Sequence, residues 1–480
     1  MAYNSLADFV QVLAQQGELK RISYPVRAEL EIAEIADRVM KGSGPALLFE
    51  NVIDKEIPVL INAFGSMKRM ALALGVDDIE EVAREIEKLI RTKPPKSFKD
   101  RLSLLRELVR LAGIPPRVTK NAACQETILP EPDLGILPIL TCWPEDAGPF
   151  ITLPMVFTKD PRTGTRNVGL YRMQLFDRQT TGMHWHLHKV GARHFLHRKE
   201  VPGKLELAVC LGGDPAMIYA ATAPLPDQID EILFTGFLRK KGVELVKGIT
   251  VDVEVPANSD IVIEGYVDAA EPPRREGPFG DHTGFYSLAD DYPAFHVTCI
   301  THRKNPIYPT TIVGRPPMED AYLGKTTERL FLPLVRVTLP EIVDMHLPVH
   351  GIFHNLAIVS IKKEYPGHAR KVMHALWGLG QMMFTKILMI VDHDVNVQDL
   401  AEVTWVVGNH IDPKRDVVFV DGPVDVLDHA APVMGFGSKM GIDATRKWRS
   451  EGYAREWPDA IRMDEKTKKY IDSIWEKLGI

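Results

Sequence analysis

The sequence predicts a mixed α/β and α+β multidomain protein built around a central antiparallel β unit, and three observations carry that prediction. A chain of 480 residues is longer than one hydrophobic core usually serves, so about two to four domains are expected. The local pattern changes twice along the chain, near residues 116 and 320. The Pro115-Pro116 pair sits at the first change, where it punctuates the chain as a domain boundary would.

Residues 1–116 mix helix and strand patterns. Asn4 or Ser5 can cap an opening helix whose apolar face is Leu6, Phe9, Val10 and Leu13, and Gly17 stops it. Short apolar strands are expected at Ala46–Phe49 and 59–62, and charged helices at 79–91 and 99–112. Residues 117–320 turn to short β-branched runs separated by turn residues, with strands at Leu205–Leu211, 251–255, Ile261–Val267 and 295–301. One or two helices are expected there, one over 227–237, so this unit reads as an antiparallel barrel or sandwich.

Residues 321–445 alternate strand and helix, which implies parallel pairing through a crossover. The strands are Leu356–Ile361, 386–391 and 416–420. A helix over 368–383 carries Val372, Ala375, Leu376, Leu379 and Met382 on one face. The tail, 446–480, ends in a helix over 464–478. Its stripe of Tyr470, Ile471, Ile474, Trp475 and Leu478 packs either on its own domain or on a neighbouring subunit.

Composition excludes several classes. The formal net charge of -6 gives no basic signature for nucleic acid. Cys124, Cys142, Cys210 and Cys299 are widely spaced, so neither a disulfide framework nor a zinc knuckle is indicated, in keeping with a reducing cytoplasm. No apolar run is long enough for a membrane span, and the N-terminus lacks the pattern of a signal peptide. Walker A, G-x-G-x-x-G and H-E-x-x-H motifs are absent.

The most informative stretch is Glu276-Gly-Pro-Phe-Gly-Asp281-His-Thr-Gly284, with two carboxylates on a segment too rich in glycine and proline for helix or regular strand. Flanking Phe279, Phe285 and Tyr286 make raised pKa values and proton donation an expectation, against the alternative of a solvated polar turn. Arg172, in a strand-like run, suits bidentate capture of a carboxylate or phosphate, although a surface arginine fits the local pattern too. Strand alternation points Asn167 and Arg172 to opposite faces, so a shared site requires a bulge or bend at Gly169. In His184-Trp-His186-Leu-His188, period-2 geometry places three imidazoles on one strand face, which fits a metal site, zinc included, or a solvated face. Glu231 opens a helix, where an acid ordinarily serves the helix dipole.

With these clusters in order the chain resembles the UbiD family of prenylated-FMN-dependent decarboxylases nearly end to end. Gln16-Gly-Glu-Leu-Lys-Arg21, Gly44-Pro-Ala-Leu-Leu-Phe-Glu50, Thr141-Cys-Trp-Pro-Glu-Asp146, Gly314-Arg-Pro-Pro317 and Gly437-Ser-Lys-Met-Gly-Ile-Asp-Ala444 look like the polyprenyl-4-hydroxybenzoate decarboxylase branch. The resemblance implies an N-terminal α/β region, a central split β-barrel that holds the flavin and a C-terminal α/β domain. By the same resemblance, Asn167, His188 and Glu231 match ligands of a manganese or magnesium ion that bridges to the flavin phosphate, with a potassium ion nearby. Leu170, Tyr171, Arg172, His184, Trp185, His186, Lys189 and Val190 match the flavin-contacting residues. Arg172, Glu276 and Asp281 match the catalytic set, in which Arg172 grips the substrate carboxylate, Glu276 holds Arg172, and Asp281 protonates the ring carbon.

The implied reaction is non-oxidative decarboxylation of a polyprenyl-4-hydroxybenzoic acid in ubiquinone biosynthesis. The alternatives are a dihydroxynaphthoate of futalosine-route menaquinone synthesis, a small phenolic acid, or flavin or prenyl-lipid binding without turnover. The implied partners are a flavin prenyltransferase that supplies the cofactor, further copies of the chain in a dimer or hexamer, and transiently the inner membrane surface.

Overall fold

A computed structural model describes residues 2–90, 113–186, 189–226 and 229–480. The helix expected over 99–112, the first residues of the one expected over 227–237, and His188 lie outside the described residues.

The opening helix is Leu6–Gln15. Ser5 caps it, its Oγ accepting the Asp8 amide at 3.0 Å. Its four expected face residues are buried in one core with Phe64, Met70 and Ile218. Nearby lies a four-stranded sheet in the order Leu19–Ile22, Ala46–Phe49, Val59–Ile61, Tyr308–Pro309, so the last strand arrives from far along the chain. Three further helices, Glu31–Lys41, Met67–Leu74 and Ile79–Ile90, complete the described N-terminal region.

The central unit is a seven-stranded antiparallel sheet. Its path runs Thr180–Gly182, Ala294–His302, Ile261–Val267, Leu205–Leu211, Met155–Lys159, Arg166–Leu170, and Thr127–Leu129 also pairs with Ala294–His302. Alternation divides each strand between two cores. Met155, Phe157, Ala208, Cys210 and Val262 face one core, which also holds helix residues Ile218 and Leu238. Val156, Leu207, Val209, Ile261 and Ile263 face the other. This two-sided burial explains why these strands read as nearly unbroken apolar runs. The region contains the helices Val190–Glu200, Pro215–Ala220 and Glu231–Arg239, more than the one or two expected. Val190–Glu200 escapes a periodicity reading because it is rich in Arg, His and Lys and buries only Gly191, Ala192 and His194.

The C-terminal sheet has the order Ile342–His346, Leu356–Ile361, Ile387–Asp392, Phe436–Asp443, Val417–Pro423. The middle three strands are parallel, as the alternation implied, and the two edges are antiparallel. The helix expected over 368–383 ends at Trp377. Gly378 closes it, and Met382 falls in a separate 3-10 turn, Gly380–Phe384. The tail helix Glu465–Ile474, extended by the turn Trp475–Leu478, buries no residue within the chain and leaves Tyr470, Trp475 and Leu478 exposed. All four cysteines are free and buried. Among the described residues no helix is long and apolar enough to cross a membrane.

Candidate functional site

Three short segments bring the acids and the arginine together. Strand Arg166–Leu170 pairs with Met155–Lys159 in unbroken register through Gly169, so the expected bulge is not at Gly169. The chain leaves the ladder instead at Tyr171 and Arg172, before the next strand, Met173–Gln174. Gly169 serves another purpose: a Cβ there would lie 2.3 Å from the Tyr171 hydroxyl, so only glycine lets the Tyr171 ring fold back over the strand. The acid-bearing stretch also contains more strand than its composition suggested. Arg274–Glu276 pairs with Asp290–Tyr292, and Phe279–Gly280 pairs with Tyr286–Ser287. Gly277, at φ +86°, turns the chain between the two ladders, and Asp281 stands at the tip of the second.

The side chains form a closed polar circuit. Arg172 donates from Nε to Glu276 Oε1 at 3.3 Å, from Nη1 to Asp281 Oδ2, and from Nη2 to Ser287 Oγ at 3.1 Å. Its guanidinium carbon lies 4.7 Å from the centre of the Phe279 ring, which adds a cation–π contact. Glu276 is 1% exposed, and its Oε1 also accepts from His184 Nδ1 at 2.7 Å. Its Oε2 has no partner and points at Gly182, where a Cβ would stand 2.6 Å away. Burial lowers the His184 pKa, and the Glu276 hydrogen bond only partly opposes this, so the ring is neutral with its proton on Nδ1. His184 Nε2 is then an acceptor for His186 Nε2–H at 2.6 Å. Burial and the neighbouring His184 push His186 down to about 3. The strand ends at Gly182, so His184 and His186 do not share a strand face, yet they still meet in this circuit.

Asp281 departs from its expectation. Burial does push its carboxyl pKa upward, but the hydrogen bond from His282 and the charges of Arg172 and His282 more than offset this, and the carboxyl is held well below the usual range. Of the three aromatic neighbours only Phe279 is buried, beneath Arg172; Phe285 and Tyr286 are exposed. What the sequence did not expose is that Arg172 and His282 both reach the same acid. His282 donates from Nδ1 to Asp281 Oδ1 at 3.0 Å, and its own pKa is raised because the Asp281 hydrogen bond and charge outweigh its burial.

A second cluster lies on the other side of Tyr171. Glu231 opens helix Glu231–Arg239, and its Oε2 accepts the Val168 amide at 3.1 Å, which brings it beside Asn167. Asp230 caps the helix and accepts from Arg166 at 2.6 Å. Burial pushes Glu231 up to about 7, since the Glu231 and Val168 amides and Arg166 only partly oppose it. Asn167 is buried with Nδ2 unpartnered. A desolvated carboxylate beside a buried amide is a donor set that suits a hard divalent cation.

Of the expected flavin-contacting residues, Tyr171 and Trp185 are buried edge-to-face with ring centres 6.5 Å apart. Tyr171 Oη accepts the Gly191 amide at 3.4 Å, and the Trp185 indole N–H has no partner among the described residues. Leu170 is half-buried at the end of its strand. Lys189 is the N-cap of helix Val190–Glu200 and makes no side-chain cap, so that first turn, apart from the Gly191 amide held by Tyr171, is open to an anion.

Sequence reasoning missed Ser287, Tyr292, His282, His354 and Asp425. The Tyr292 ring lies tilted against His184, 4.2 Å between ring centres. His282 lies inside the stretch that was singled out, beside an acid, which is a usable signal. His354 and Asp425 come from the C-terminal sheet, and their approach is a property of the fold alone.

Comparisons with known proteins agree with this geometry. Three family models match in order: the N-terminal domain of 3-octaprenyl-4-hydroxybenzoate carboxy-lyase at residues 10–89, its Rift-related domain at 117–316, and its C-terminal domain at 321–444. An uncharacterized protein of Aquifex aeolicus is 53% identical over 100% of this chain and 99% of its own length. The vanillic acid decarboxylase of Sedimentibacter hydroxybenzoicus in closed form is 29% identical with a TM-score of 0.86, covering 100% of this chain and 99% of that one. Its open form gives a TM-score of 0.79 at 28% identity, covering 100% and 99%. An evolved dimeric form of the UbiD-class enzyme HmfF from Pelotomaculum thermopropionicum, in complex with prFMN, is 29% identical with a TM-score of 0.80, covering 97% of this chain and 98% of that one. This chain is therefore a carboxy-lyase of the UbiD family.

Proposed function

We propose that the protein decarboxylates a hydroxylated aromatic acid without net oxidation, using prenylated FMN held through a divalent cation. The observation that carries this reading is Arg172 fixed between Glu276, Asp281 and Ser287 in a site shielded from water. Such an arginine is pre-oriented for a carboxylate, because its fork is immobilised before the substrate arrives. The bound flavin would supply the electron sink that an aryl anion otherwise lacks. Asn167 and Glu231, with His188, would hold manganese or magnesium against the flavin phosphate. The first turn of helix Val190–Glu200 and Lys189 would meet the phosphate itself, and Tyr171, Trp185, His184 and His186 would line the ring system. A potassium ion beside the phosphate completes the reading.

The remaining steps belong to the side chains. Glu276 fixes the Arg172 fork and, through His184, the tautomer of His186. Asp281 is ionised in the resting site because Arg172 and His282 stabilise its charge. A substrate carboxylate that takes over Arg172 removes part of that stabilisation, and Asp281, still hydrogen-bonded to His282 Nδ1, then accepts a proton from solvent. After carbon dioxide leaves, Asp281 passes this proton to the ring carbon.

For the substrate we favour 4-hydroxybenzoate bearing a polyprenyl chain, with small phenolic acids second, since the vanillic acid decarboxylase is so similar over the whole chain. The unburied tail helix suits contact with another copy of the chain, and a polyprenyl substrate would bring the protein to the membrane surface. The test is to produce the chain with a flavin prenyltransferase and measure carbon dioxide release from a panel of hydroxyaromatic acids, dihydroxynaphthoates included. Release from at least one acid is expected. A fully loaded protein that releases none would establish a binding protein instead.

A further inference from the structure

A third polar cluster joins the acid-bearing turn to the C-terminal sheet. His354 immediately precedes strand Leu356–Ile361, and Asp425 follows strand Val417–Pro423. Val417–Pro423 runs antiparallel to its neighbour, so its end lies at the same sheet edge as the starts of the parallel strands. That edge faces His282, and ligand atoms of His282, His354 and Asp425 lie within 4.8 Å of one another.

Four features separate this cluster from a chance meeting of polar groups. The Nε2 atoms of His282 and His354 are both shielded from solvent; among the described residues that of His282 has no hydrogen-bond partner, and that of His354 faces only the Asp425 carboxylate. Leaving the His282 nitrogen unpaired in a dry site is costly unless a ligand is to fill it. The His282 ring is also oriented from behind: its Nδ1 donates to Asp281 Oδ1 at 3.0 Å, which turns Nε2 toward the cluster. A carboxylate that fixes the far nitrogen of an imidazole is the usual support behind a metal-bound histidine. His354 Nε2 and Asp425 Oδ2 are 3.4 Å apart, long for a hydrogen bond. It is close to the edge of a tetrahedron with ligand bonds of about 2.0–2.1 Å, roughly 3.3 Å. The backbone before His354 is unusual as well, with positive φ at Ile352 (+53°) and Phe353 (+31°), a conformation bulky residues seldom adopt.

We infer that His282, His354 and Asp425 form a site for a zinc-class divalent cation, separate from the hard-cation site at Asn167 and Glu231, that ties the C-terminal sheet to the Asp281 turn. Two neutral imidazoles and one carboxylate are a borderline-soft donor set, which selects zinc or cobalt over magnesium. A fourth position would remain for water. The site needs both halves of the molecule in contact, so its occupancy would stabilise the closed arrangement.

The test is titration of the purified full-length, flavin-free protein with Co2+, followed by displacement with Zn2+. Wild type should take up one Co2+ with the strong visible bands of tetrahedral coordination, and Zn2+ should abolish them. His354→Phe, which keeps the ring packing, and Asp425→Asn should lose the bands, whereas Glu231→Gln should keep them. Bands that persist in His354→Phe and Asp425→Asn, or that vanish in Glu231→Gln alone, would overturn the assignment and leave the Asn167–Glu231 site as the cation site. Absence of tetrahedral cobalt in wild type would overturn it equally. Zinc X-ray absorption on wild type needs no variant to fold: two imidazole nitrogens and one carboxylate oxygen at about 2.0–2.2 Å are expected, and an all-oxygen shell contradicts the proposal.

Discussion

Glu231, half-buried, and Asp281, buried, are carboxylates of the same unit, yet their surroundings drive them in opposite directions. Glu231 has backbone amides and one distant arginine for company, and burial pushes it up to about 7. Asp281 is more deeply buried, but Arg172 and His282 reach it, and its carboxyl is held well below the usual range. Burial alone therefore does not decide the charge state; the count of cationic partners does. One end of the site is short of positive charge, which a bound cation would supply. The other is already balanced and becomes unbalanced only when a second anion arrives at Arg172.

The comparison can be broken most severely at its electron-rich end. Glu231→Gln keeps the shape and the acceptor for the Val168 amide while removing the charge. Flavin and divalent metal content of the purified protein should fall at least about ten-fold, with turnover falling in proportion. Retained metal and flavin would move the cation site elsewhere.

At the balanced end, Arg172→Lys preserves charge but not the three-way fork to Glu276, Asp281 and Ser287. Activity should drop roughly a hundred-fold or more with flavin content unchanged, read from kcat/KM on the loaded enzyme.

The difference should also appear in stability against pH. Glu231 is raised in the folded state, so the unfolded carboxylate ionises first. Its contribution is present below about pH 4.5 and is lost as pH rises through about 7. The cation-free protein should lose up to about 3 kcal/mol over that window relative to Glu231→Gln, measured by urea unfolding, and added Mn2+ should restore it.

Ser287→Ala is the mildest probe. It removes the third partner of Arg172 and leaves both carboxylates. A loss of ~1 kcal/mol, roughly five-fold in kcat/KM, is expected.

Much of this arrangement was legible in the sequence. The β-branched runs gave Leu205–Leu211 and Ile261–Val267 with their observed bounds, because a strand buried on both faces has little else to be. The order of the motifs named the family. Local reasoning failed where a contact spans the chain. Nothing near Asp281 announces that Arg172, more than a hundred positions earlier, will hold it ionised. Period-2 logic placed a bend at Gly169, whereas the glycine accommodates the Tyr171 ring and the bend follows it. His354 and Asp425 reach His282 only because an antiparallel edge strand returns to the same end of a parallel sheet.

The account stands most directly on Asp281 as the residue that gives the ring its proton. Asp281→Asn keeps a side chain of the same size in the same turn but has no proton to give. In deuterated water, the loaded wild-type enzyme should release product carrying deuterium at the carbon that lost carbon dioxide. The variant should retain flavin and substrate binding while both product release and ring exchange fall roughly a hundred- to ten-thousand-fold. Decarboxylation and exchange at the wild-type rate in Asp281→Asn would contradict the central claim.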